Sequence, residues 1–116
     1  METNQLNQSN ELKILINLET GHETFTTEQI KGKLNSIIVD SEDKVEIIIE
    51  SQLGYMILHR HEHMGIEYYC PRARTTASEW KLTDYPDFEE YLLNEPLNII
   101  VIGPKNKQVK IIIRMD

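Results

Sequence analysis

Three of the chain's four histidines and its one cysteine fall in the stretch Tyr55 to Cys70, YMILHRHEHMGIEYYC. Imidazole nitrogen and thiolate sulfur are the ligands zinc accepts most readily, so this stretch is where chemistry is sought first. In an extended strand, side chains alternate between faces, which places His59, His61 and His63 together on one side. Gly65 then supplies a position that tolerates positive φ, and a two-residue turn at Met64-Gly65 predicts a hairpin. In that hairpin His63 faces Ile66, His61 faces Tyr68 and His59 faces Cys70. Directly opposed Cβ atoms lie about 4.5 to 5.5 Å apart, close enough for two ligands to share an ion. The expected zinc ligands are therefore His59, His61 and Cys70, because a strand spreads i, i+2 and i+4 over roughly 13 Å and does not let all three histidines converge.

His61-x-His63-x3-Glu67 also resembles the metal-binding core of the first motif of the cupin family. The resemblance covers seven residues, and no second motif with its own histidine follows. For nucleophilic catalysis Cys70 with His59 is the one pair available, and no helix N-terminus precedes the cysteine to activate it.

Two other groups bear charge that a ligand can read. Arg60, Arg72 and Arg74, with Thr75, Thr76 and Ser78 nearby, are suited to a phosphate or carboxylate, since guanidinium forks match planar anions. No Gly-rich loop opening a helix accompanies them. Asp84, Asp87, Glu89 and Glu90 are interleaved with Tyr85 and Tyr91, and residues 82 to 104 contain five acids and no base. Tyrosine among carboxylates is what an interface aimed at a basic protein uses.

The elements that must position these residues follow from periodicity. Residues 1 to 10 are polar and aperiodic and read as a flexible tail, leaving 11 to 116 as a single domain of ordinary size. Leu12, Ile14, Ile16 and Leu18 alternate, predicting a strand. Thr26-x-x-Gln29 has capping-box spacing, and Ile30, Leu34, Ile37 and Ile38 recur at i, i+4, i+7 and i+8, predicting a helix over 27 to 38. Val45, Ile47 and Ile49 face inward on the next strand, and Ser51-Gln52-Leu53-Gly54 turns the chain into the histidine stretch. Tyr85, Phe88, Tyr91 and Leu92 predict a second helix, begun at Thr83 or Asp84 and ended by Pro96. Two strands, 97 to 102 and 109 to 115, close the chain. The order matches an α+β fold: an antiparallel sheet covered on one face by two helices, ferredoxin-like (split βαβ), with an extra C-terminal strand. That last strand, Val109 to Met115, offers an edge through which copies of the chain can pair.

Net charge is -7, distributed as -6 over residues 1 to 58, +1 over 59 to 81, -5 over 82 to 104 and +3 over 105 to 116. Such a balance opposes direct nucleic-acid binding, which needs a basic surface. No apolar run approaches the roughly 18 residues of a membrane span, and a lone cysteine suits a reducing compartment, so a cytoplasmic protein is expected. The sequence favours a small acidic binding protein of inhibitor or immunity type, which blocks a basic site on a partner such as a nuclease. Its alternatives are a metal-dependent or small-anion enzyme using the histidine hairpin, with zinc as the one cofactor, and an oligomeric structural subunit.

Overall fold

Branched apolar side chains at every second position dominate the chain between its turns, and that pattern favours pleated strands packed on one face. A computed structural model describes residues 10–74 and 88–116, and all regular elements in them are strands. They are β1 (Glu11–Leu18), β2 (His22–Thr26), β3 (Ile30–Ser51), β4 (Met56–Tyr69), β5 (Arg72–Arg74), β6 (Phe88–Glu90), β7 (Leu92–Glu95), β8 (Leu97–Ile102) and β9 (Lys107–Met115). All pairings are antiparallel.

The 22-residue β3 is the spine. Along one side it pairs first with β9, over Leu34 to Ser41, and then with β8, over Glu46 to Ser51. Along the other side β4 follows it through both halves. β1 extends the β9 wing, β2 extends the β8 wing, and β7 pairs with the start of β3. The strands thus curl into a nearly closed barrel around one apolar interior. Its inward positions are in register: Ile37, Ile113 and Leu12 lie in one row, Val39, Ile111 and Ile14 in the next, and Ile47 faces Val101 as Ile49 faces Ile99. Most of these are fully buried, each contributing about 1.5 to 3 kcal/mol by transfer from water.

The curl needs a corner where β3 changes partner, between Ser41 and Val45. There the loop joining β8 to β9 comes so close that a Cβ on Gly103 would lie 2.6 Å from Cγ1 of Val45. Only glycine fits, and its N–H donates to the Gly21 carbonyl at 2.9 Å.

These strands overturn the α+β expectation and its two helices. Residues 30 to 38 begin β3, and residues 27 to 29 lead into it, with Thr27 buried as its hydroxyl accepts from the Leu97 N–H at 2.9 Å. The apparent helical period arises from a bulge. Leu34 pairs with Met115 and Ser36 with Arg114, so Asn35 is an extra residue. It shifts the inward positions from even (Ile30, Leu34) to odd (Ile37, Val39), and a two-residue period broken by one insertion reads as i, i+4, i+7. Backbone conformation agrees, since Gly32 has φ +134°. Of the second expected helix, residues 88 to 95 form β6 and β7, while residues 84 to 87 lie outside the described set, as do residues 1 to 9 of the expected tail. The terminal strand β9 also differs from expectation, because it lies between β1 and β3 with both sides paired.

Candidate functional site

Position by position, β4 shows how the histidines are placed. It runs unbroken through Met64-Gly65, so the expected hairpin does not form. A two-residue turn with glycine second requires positive φ at both central residues, and Met64 does not adopt it. Gly65 does, at φ +85°, but within the strand, paired with Ser41. Four of the six residues expected to pair across the hairpin pair with β3 instead: His59 with Ile48, His63 with Val45, Ile66 with Asp40 and Tyr68 with Ile38.

Between the pairs Ile47–Arg60 and Val45–His63, β3 supplies one residue, Glu46, and β4 supplies two, His61 and Glu62. This bulge reverses the facing of everything after it. His59 and His61 stay on the outer face beside Glu46, and His63 turns into the core.

On the outer face, Oε2 of Glu46 is 2.8 Å from Nε2 of His59 and 3.5 Å from Nδ1 of His61. The two rings lie 4.1 Å apart at their centroids, tilted by 45°. All three donor atoms are within 4.8 Å of one another, and among the described residues this is the set of side chains that could hold a metal ion. Cys70, expected as the third ligand, is exposed beyond the end of β4 and does not belong to it. Glu46 takes its place. The sequence carried half of that signal, since Val45, Ile47 and Ile49 facing inward leaves Glu46 outward; the register that sets it beside the histidines depends on the bulge.

On the inner face His63 is fully buried. Its Nε2 is 2.9 Å from the Gly65 carbonyl oxygen, which can only accept, so the proton sits on Nε2. Nδ1 then accepts from the Tyr69 hydroxyl at 2.6 Å. Burial holds the Tyr69 phenol above its ordinary value of 10.0, opposed by a hydrogen bond with Arg60 and reinforced by the charge of Glu67. The three residues that resemble the cupin motif are thus divided between faces, with His61 outside and His63 inside.

The other candidate groups separate. Arg60 stacks over the Tyr69 ring at 5.9 Å, and Arg72 donates to the carbonyls of Asn35 and Pro71 at 3.0 and 2.8 Å. Arg74 is placed only by its backbone pairing with Phe88. Of the acidic group, Asp84, Tyr85 and Asp87 lie outside the described residues. Glu89 pairs with Ala73 through the β5–β6 ladder. Glu90 shares a hydrogen bond with the Asp116 carboxylate, which raises the pKa of Glu90 and lowers that of Asp116. Tyr91 stacks on Tyr55 with centroids 5.7 Å apart.

Sequence reasoning missed one further surface. Met64, Ile66 and Tyr68 occupy successive outward positions of β4 and are 58%, 65% and 66% exposed. The apolar surface continues across the sheet, since Tyr68 faces Ile38 and Ile38 faces Ile112. Alternation shows that these three residues share a face, but which face they share is set by the bulge at His61-Glu62.

No protein-family model, curated protein or solved structure matches this chain. Among the described residues no helix is long and apolar enough to cross a membrane.

Proposed function

We propose that the protein is a binding module that docks a second protein against the outer face of its sheet. The observation that carries this reading is the exposed row Met64, Ile66 and Tyr68 on β4. Aromatic residues and methionine are enriched in interface cores, and contiguous apolar surface marks contact sites. A net charge of -7 favours a partner whose contact surface is basic. The most specific form is an inhibitor that covers the basic site of another protein, such as the nucleic-acid groove of a nuclease.

The test is capture of a partner from native lysate by the wild-type chain and by the double variant Ile66→Asp, Tyr68→Asp. The aspartates are expected to weaken capture by more than about tenfold, the scale of losing a central aromatic anchor, with the circular-dichroism spectrum unchanged. Equal capture by both proteins overturns the reading.

A second reading, a self-associating subunit, is favoured by the edge of β4, with which no strand among the described residues pairs on the side away from β3. Sedimentation velocity separates the two: concentration-dependent dimers of the wild type, absent in the same double variant, support self-association.

A further inference from the structure

We propose that Glu46, His59 and His61 form a surface site for a divalent late first-row transition ion, with zinc the simplest occupant. This goes beyond the docking reading and does not depend on it. The donor set is two imidazole nitrogens and one carboxylate oxygen, a combination that zinc, copper and nickel accept and that magnesium and calcium, which prefer oxygen alone, do not favour.

Geometry supports the assignment. A tetrahedral zinc ion holds its nitrogen and oxygen ligands at about 2.0 to 2.2 Å, which separates neighbouring donors by roughly 3.3 to 3.6 Å. Glu46 and His61 already stand 3.5 Å apart. Glu46 and His59, at 2.8 Å, are closer by less than an ångström, a gap that a small side-chain rotation opens.

The scaffold is rigid where rigidity is needed. Glu46 stands on β3 between two paired neighbours, opposite Ile102 on one side and the β4 bulge on the other. His59 lies in the same ladder, one pair beyond Ile47–Arg60. The bulge spends an unpaired residue to bring His61 beside a carboxylate, and bulges commonly re-aim a side chain at a site in this way. Three protein ligands leave the fourth position open to solvent, for water or a donor from a docked partner. His22 supplies an internal control. It lies in the same row across the sheet, facing Ile102, which itself faces Glu46, and so stands two strands away, about 9.6 Å.

The experiment is calorimetric titration of tag-free protein with zinc chloride, beside Glu46→Gln, His61→Ala and His22→Ala. The expected result is one zinc per chain, weakened at least tenfold by Glu46→Gln and by His61→Ala and unchanged by His22→Ala. In parallel, zinc is expected to move the ring signals of His59 and His61 in the NMR spectrum and to leave those of His63 in place. Absence of stoichiometric binding overturns the site. Binding that survives both Glu46→Gln and His61→Ala, or that His22→Ala weakens as much, overturns it too, since the ion would then sit elsewhere.

Discussion

His61 and His63 are two residues apart on one strand, yet they live in opposite environments. His61 stands on the outer face with His59 beside the Glu46 carboxylate, open to solvent and ligands. His63 is closed in the core, with both ring nitrogens satisfied by Gly65 and Tyr69. Residue type does not distinguish them and neither does their spacing, which in a regular strand would put them on one face. One inserted residue in β4 makes the difference, sorting the histidines into a pair that can meet an ion and a single one that fills space. Shared side chains therefore carry no shared role, and substitutions at the two places must behave differently.

The inner histidine gives the largest expected effect. His63→Ala removes a packed ring and strips Tyr69 and Gly65 of their partners, and should lower the unfolding free energy by about 2 to 4 kcal/mol, read as a shift of the urea midpoint at constant slope. A loss below about 0.5 kcal/mol, the scale of ordinary surface substitutions, would show that His63 is not enclosed and would erase the contrast.

How much of this was readable beforehand depended on whether a bulge intervened. The strands 12 to 18, 45 to 50, 97 to 102 and 109 to 115 were legible because their inward residues keep a strict period of two, and they appear as β1, the second half of β3, β8 and β9. The helix over 27 to 38 failed at Asn35, where an inserted residue moved the buried set from Leu34 to Ile37 and counterfeited a helical repeat. The metal set differs for two reasons: Cys70 enters it only through a hairpin at Met64-Gly65, which β4 runs straight through, and Glu46 joins it only through the bulge at His61-Glu62. Local pattern determines which residues seek burial, but an unpaired residue is set by the pairing with a neighbouring strand distant in sequence, which no run of consecutive residues reveals. Glu46 was correctly placed on an outward face and still overlooked, because nothing local ties it to residues 13 and 15 positions later.

The tyrosine that caps His63 sharpens the contrast from the alkaline side. An unfolded tyrosine ionises near pH 10, whereas Tyr69 keeps its proton to higher pH, chiefly because it is partly buried. Above pH 10 the unfolded chain therefore binds fewer protons than the folded one, and stability falls as pH rises. Urea midpoints compared between about pH 9 and about pH 11 should decline more steeply in the wild type than in Tyr69→Phe, which has no proton to release there. Equal slopes would mean that the hydroxyl is solvated and the inner network open.

The outer pair should be nearly silent in the same measurement. His59 and Glu46 are only partly covered by protein and His61 is largely exposed, so their ion pairs are screened by water, and pairs of that kind contribute well under about 1 kcal/mol. His59→Ala should leave the urea midpoint within about 0.5 kcal/mol of wild type in metal-free buffer. Saturating zinc should then separate the proteins, because an ion that binds only the folded state stabilises it by mass action, roughly 2.7 kcal/mol at a hundredfold excess over the dissociation constant. The wild type should gain that increment and His59→Ala should lose most of it. A variant already destabilised without metal would place His59 with His63 as a structural residue, and the outer face would then lose its claim to a separate role.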